Sequence, residues 1–120
     1  MTGNVRAFVK KLNKLNESMT TLELENGKEV VSDNYILITH TTGKGEMPPK
    51  LVEFLKNKIN AEKCLGVIGS GNKNWGSNFC KGAYLASNIV ARPVYHTFEL
   101  KGNESDVMKV NSIINELLLE

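Results

Sequence analysis

The chain has 120 residues, enough for one domain and too few for a second core. Apolar residues make up 41% and charged residues 23%, an ordinary globular balance, and no apolar run approaches the roughly 18 residues of a membrane helix. The formal charge of +2, with lysine and arginine scattered among glutamate and aspartate, offers no polybasic or aromatic–basic stripe for nucleic acid.

The N-terminus, MTGNVRAFVKK, lacks the apolar stretch and small-residue cleavage site of a secretory signal. A single cytoplasmic domain over residues 1–120 is therefore expected, with no membrane or nucleic-acid partner. Thr2, Gly3 and Asn4 open the chain, and Val5, Phe8, Val9 and Leu12 then recur with helical spacing. Met19–Leu24 alternates loosely and reads as a half-exposed strand. Asn26-Gly27 marks a turn, and Val30-Val31 is expected to pair briefly. Tyr35–Thr41 (YILITHT) is a β-branched and aromatic run, the mark of a strand buried on both faces in a parallel sheet. It empties into the glycine-containing loop Thr42–Met47. Pro48-Pro49 starts a helix whose apolar face is Leu51, Leu55 and Ile59.

The cycle then repeats. Cys64–Gly69 (CLGVIG) reads as a buried strand, Ser70–Gly76 as a glycine- and asparagine-rich loop, and Ser77–Val90 as a helix with Phe79, Ala83, Ala86 and Val90 inward. Pro93–Leu100 is another strand, starting where proline is tolerated. Ser105 or Asp106 is positioned to cap a last helix with Val107, Val110, Ile114, Leu117 and Leu118 on one stripe. Strands alternating with amphipathic helices through short loops imply βαβ units, right-handed crossovers and an α/β doubly wound parallel sheet. Ligands of such sheets lie beyond the carboxyl ends of the strands.

Three stretches collect at that edge: Thr2–Val5, Thr41–Met47 and Ser70–Gly76. Thr2, Gly3, Asn4 and Val5 lie at a helix N-terminus, whose free N–H groups and dipole attract phosphate; a plain capping turn is the competing reading. Gly43 and Gly45 flank Lys44, so this loop can present bare peptide groups to a planar ligand. The only tryptophan, Trp75, stands among Gly71, Asn72, Asn74 and Gly76, either to stack on a ring or to fold over the core as a lid.

Other chemistries fit less well. Gly71–Ser77 has Walker-like glycine spacing without the lysine, and Ser70 is outside a G-x-S-x-G elbow. Thr39-His40-Thr41 lacks the aspartate of a phospho-receiver. Glu46 and Glu99 have no evident partner for acid–base work and read as surface or cap residues. Cys64 and Cys80, 16 positions apart, read as reduced thiols, and with His40 and His96 isolated no metal set emerges. A site without acids, bases or metal ligands points to a cofactor that carries the chemistry.

Thr2-Gly3-Asn4-Val5, Thr41-Thr42-Gly43-Lys44-Gly45-Glu46-Met47-Pro48, Gly66–Phe79 (GVIGSGNKNWGSNF), Pro93, Phe98–Gly102 and Asp106-Val107 together resemble the NrdI family. Its members are flavodoxin-like accessory proteins of class Ib ribonucleotide reductase. The resemblance implies FMN at the sheet edge, its phosphate on Thr2–Val5 and its ring between the second and third loops. It places Gly43, Lys44, Gly45 and Glu46 beside the flavin N5, with Thr41 and Thr42 leading into them. Ser70, Gly71, Asn72, Asn74, Trp75 and Gly76 would hold the pyrimidine edge. Family members reduce O₂ at the reduced flavin and pass the oxidant to the reductase small subunit, whose dimanganese–tyrosyl radical cofactor it assembles; an unidentified reductant feeds the flavin. In the family a hydrophobic strand precedes T-G-N, whereas Met1 stands directly before Thr2 here. The expectation is thus a flavodoxin-like sheet of order 2-1-3-4-5 from which the first strand is missing. A general flavodoxin-type electron carrier and a truncated, flavin-free binding module are the alternatives.

Overall fold

A computed structural model describes residues 2–43 and 45–118 of the chain. Helix α1 spans Thr2–Leu15 and carries Lys14 in its last turn, where its charge suits the carbonyl end of the helix dipole. Strand β1 is Tyr35–His40, helices α2 and α3 are Pro49–Lys56 and Lys58–Glu62, and β2 is Cys64–Gly71. A 3₁₀ segment at Lys73–Asn78 leads to α4 (Lys81–Val90), β3 (Val94–Glu99) and α5 (Glu104–Leu117). The three strands form one parallel sheet in the order β1-β2-β3.

Alternation along the strands sorts the core into two layers. Ile36 and Ile38, with Ile68 and Phe98, face α1 and α5, where they meet Phe8, Leu12, Val107, Val110, Ile113 and Ile114. Phe8 and Phe98 stack with ring centroids 4.0 Å apart. Tyr35, Leu37, Val67 and Val94 face the other way, toward Leu51, Phe54, Leu55, Ala83, Ala86 and Val90. Helices thus cover both faces, as continuous apolar strands require.

Several local expectations are corrected. The helix expected to run from Pro48 through Ile59 is broken at Asn57, whose extended backbone (φ −75°, ψ 120°) ends α2. The Asn57 side chain accepts from the Ile59 and Asn60 N–H groups and so caps α3. Ile59 consequently points outward, 51% exposed. The helix expected from Ser77 begins only at Lys81, because Gly76 and Cys80 take positive φ (57° and 56°) and interrupt the backbone. Strand β2 runs two residues further than CLGVIG, since Ser70 and Gly71 pair with Phe98 and Glu99. Asn103 caps α5 instead of Ser105 or Asp106: its side chain accepts from the Asp106 N–H at 2.9 Å, and Asp106 accepts from the Asn103 N–H at 2.9 Å.

Met19–Leu24 and Val30-Val31 join no ladder, contrary to expectation. The cause is the lack of a backbone alongside: among the described residues nothing pairs with the outer edge of β1. Side chains hold this strap instead. Arg6 on α1 donates through two nitrogens to the Glu23 carboxylate, with Nε 3.1 Å from Oε1. Fully buried Asn60 accepts from Val31 N–H at 2.9 Å and donates to the carbonyls of Glu29 (2.8 Å) and Phe54 (3.0 Å). Glu29 accepts from the N–H groups of Glu25 (2.7 Å) and Gly27 (2.9 Å), bonds that hold its carboxyl below the usual range. Gly27 (φ 85°) is obligatory here, because a Cβ would lie 2.4 Å from the Lys50 carbonyl on α2.

Candidate cofactor-binding site

The carboxyl ends of β1 and β2 and the first turn of α1 meet at one edge, as the crossover topology demands. Asn4 from α1, His40 at the end of β1 and Thr41 just after it, Ser70, Gly71, Asn72 and Trp75 from β2 and beyond, and Leu100 after β3 line a cleft of about 120 Å³. That is below the roughly 300 Å³ of a typical small-molecule pocket, so only part of a ligand sinks in and the rest lies across the loops.

The first wall is the start of α1. Because the helix begins at Thr2, the N–H groups of its first turn have no intrahelical acceptor and are available to an anion. A Cβ on Gly3 would meet nothing within 4 Å, so the backbone there is open to close approach.

The turn after β1 lies next to Thr41, but Thr42, Gly43, Gly45 and Glu46, expected at the site, do not line the cleft. Thr42 N–H donates to the Glu46 carbonyl, Gly45 N–H donates to the Thr42 carbonyl (both 2.9 Å), and the Thr42 hydroxyl accepts from Glu46 N–H at 3.3 Å. Gly45 has φ 77° and touches Asn78: a Cβ would sit 2.7 Å from the Asn78 Oδ1, so this turn is keyed to the loop after β2. Gly43 is exposed with open space beside it, and Glu46 is exposed. Lys44 lies outside the described residues.

The second wall is Asn72–Asn78. Asn72 Oδ1 accepts from Asn74 N–H at 2.9 Å, which leaves its amide nitrogen free to donate. Trp75 is partly buried in the cleft, whereas Asn74 and Gly76 stand on the exposed outer side of the turn and do not line it. Glu99, expected without a partner, accepts from Lys73 N–H at 3.2 Å and ties β3 to this loop.

Two expected ligand residues have structural duties as well. The Thr41 hydroxyl is buried and accepts from Gly82 N–H at 2.9 Å, anchoring the start of α4. The Ser70 hydroxyl is buried and donates to the Leu100 carbonyl at 2.5 Å. Both line the cleft with their backbones already fixed. His40 was read as isolated, yet it forms part of the cleft wall; burial pushes its imidazole below the ordinary value, so it is neutral at pH 7. Only its place at the end of YILITHT signalled this. His96, also read as isolated, pairs with Asp106 at 2.8 Å between β3 and α5, away from the cleft. Cys64 and Cys80 are free, buried thiols, and no metal-ligand cluster occurs among the described residues. No helix among them is long and apolar enough to cross a membrane.

The donor set fits a flavin mononucleotide: free N–H groups for a phosphate, an aromatic side chain and an amide for a ring, and bare peptides at its edge. Comparison with known proteins agrees. The family model described as "NrdI Flavodoxin like" matches residues 1–112. The protein NrdI of Macrococcus caseolyticus (strain JCSC5402) is 36% identical over 117 residues, covering 98% of this chain and 85% of that protein. A solved short-chain flavodoxin associated with a non-canonical PDU bacterial microcompartment shares the fold, with TM-score 0.64 and 21% identity over 99% of this chain and 91% of that one. Proteins of the NrdI type are flavodoxin-like, take FMN and are associated with ribonucleotide reductase. By the match over nearly its whole length, the chain belongs to the NrdI flavodoxin-like family.

Proposed function

We propose that this chain holds FMN at the carboxyl edge of its sheet and supplies an oxidant for assembling the dimanganese–tyrosyl radical cofactor of class Ib ribonucleotide reductase. The observation that carries the reading is the meeting of Asn4 in the first turn of α1, Thr41 after β1, and Asn72 and Trp75 after β2 around one shallow cleft. FMN, when bound, supplies electron transfer to O₂.

The residues divide the work by type. The N–H groups of Thr2, Gly3, Asn4 and Val5 would hold the phosphate at the helix N-terminus. Trp75 would supply an aromatic surface and Asn72 an amide donor for the ring, with Ser70, Gly71, Asn74 and Gly76 giving that loop its shape. Thr41, Thr42, Gly43, Gly45 and Glu46 would offer peptide groups to the ring, Lys44 lying between them in the sequence. His40, whose burial lowers its imidazole pKa, would add no charge to the cleft wall. A cleft this shallow leaves the ligand open to a docking partner, which suits transfer to the reductase small subunit and entry of electrons from a separate reductant.

The test has two stages. Protein mixed with FMN should show a perturbed visible spectrum and quench flavin fluorescence; a colourless protein that quenches none would remove every redox reading and leave a flavin-free binding module. The reduced holoprotein should then activate a manganese-loaded class Ib small subunit in air. A radical yield no greater than that of a generic flavodoxin would reduce the assignment to an electron carrier.

A further inference from the structure

The turn after β3 holds a side chain that the core does not use. Glu99–Gly102 is closed by Gly102 N–H donating to the Glu99 carbonyl at 2.9 Å, and its second residue, Leu100, has φ 55°. Glycine, asparagine and aspartate dominate turn positions of that kind, because a Cβ crowds the neighbouring carbonyl there. Two other non-glycine residues among those described have positive φ, and each has a plain reason. Ala91 ends α4, and Cys80 is wholly buried in the core. Leu100 has neither reason: it is 43% exposed and belongs to neither core layer.

Its backbone is nevertheless held from both sides. The Leu100 N–H donates to the Gly71 carbonyl at 2.8 Å, and its carbonyl accepts from the buried Ser70 hydroxyl at 2.5 Å. The preceding Glu99 carboxylate accepts from Lys73 N–H at 3.2 Å, which ties the turn to the loop that carries Trp75. Leu100 and Trp75 are the two large apolar residues that line the cleft; the other lining residues are polar or glycine.

We propose that Leu100 is a flavin-contact residue, whose isobutyl group gives the cleft a second apolar surface beside Trp75 for the ring of the bound flavin. The proposal rests on the FMN reading and adds to it a residue outside Thr2–Val5, Thr41–Met47 and Ser70–Gly76. A left-handed leucine is strained, and an apolar side chain at an open rim gains little from the core. A planar apolar ligand that covers the side chain offsets both costs, since burial is favourable in proportion to the area removed from water. Polar groups alone would hold the edges of a flavin and leave its ring faces wet.

The experiment measures flavin affinity and stability on the same variants of the 120-residue chain, by quenching of flavin fluorescence and by urea unfolding without flavin. Leu100→Ala removes the side chain and keeps the strain, Leu100→Gly removes both, and Leu100→Met keeps an apolar chain of similar volume. Alanine and glycine should each weaken FMN binding by about tenfold, the effect of losing most of a leucine contact. Riboflavin, which lacks the phosphate, should weaken by the same factor, and methionine should bind both flavins within about threefold of the parent. Without flavin the glycine variant should be at least as stable as the alanine variant, because its backbone is relaxed. Unchanged affinity in both variants overturns the proposal. So does affinity that follows stability, with the glycine variant binding like the parent and the alanine variant not. A loss confined to FMN also overturns it, because the contact would then serve the phosphate and not the ring. A parent that quenches neither flavin overturns the FMN reading and this proposal with it, whereas a binding parent with indifferent variants overturns the proposal alone.

Discussion

β1 and β2 carry similar apolar sequences, YILITH and CLGVIG, yet end in different circumstances. β2 is paired on both edges and nearly every residue of it is buried. Among the described residues β1 is paired on one edge, and Thr39 is its one buried residue. Beyond β1, the strap is fastened by side chains alone. Strand propensity becomes strand only where a neighbouring backbone supplies the ladder, so the two flanks should respond to substitution by different mechanisms.

The largest effect is expected on the closed flank. Phe8→Ala removes a fully buried ring stacked on Phe98 and should cost about 3–5 kcal/mol in urea unfolding. A cost below about 1 kcal/mol would mean this flank is as loosely packed as the other. On the strap, Asn60→Ala strips partners from Val31 N–H and the Glu29 and Phe54 carbonyls, for about 2–3 kcal/mol. Its signature is selective: exchange at residues 29–31 should quicken more than in β2, and uniform quickening would erase the distinction between the flanks. At the cleft, Gly45→Val forces a branched side chain into positive φ against Asn78, a strain of about 1–3 kcal/mol. Weaker FMN binding and shifted flavin potentials should follow, and unchanged values would dissociate this turn from the cofactor. The smallest effect is a pH dependence. Burial pushes the Cys80 thiol up to about 11, against an ordinary 9.0. The neutral thiol favours the folded state, so its contribution is full below pH 9 and lost as pH rises toward 11. A Cys80→Ala variant should lose less stability between pH 9 and 11 than the parent; equal loss would show that the thiol does not titrate with unfolding.

The sheet, its layers and the edge that carries the site were legible because apolar periodicity and glycine-rich strand ends are local signals. Interruptions were less so. Asn57 acts by capping α3 after ending α2, and Cys80 takes a left-handed backbone that favours glycine or asparagine, which nothing in GSNFCKG announces. Thr41, Asn72 and Trp75 of the cleft were named from the sequence, whereas His40 and Leu100, which also line it, were not; nor was Asn78, since its part depends on a turn thirty-odd positions earlier in the chain. The mistaken strand at Met19–Leu24 has the opposite origin: its pattern is strand-like, and what it lacks lies beside it in space.

The two core layers also imply an order of assembly. The layer around Phe54, Val67 and Ala86 draws its members from residues 24–94. The layer around Phe8 needs both ends of the chain, joining α1 to Phe98 and α5. During synthesis the first can close while α5 is still to be made, whereas α1 must wait beside a half-finished sheet for its partner. Contacts spanning that distance form late because closing a long loop costs entropy before the contact repays it. The Phe8 ring therefore locks the structure more than it starts it, and its loss is expected to appear as faster unfolding with little change in the rate of folding.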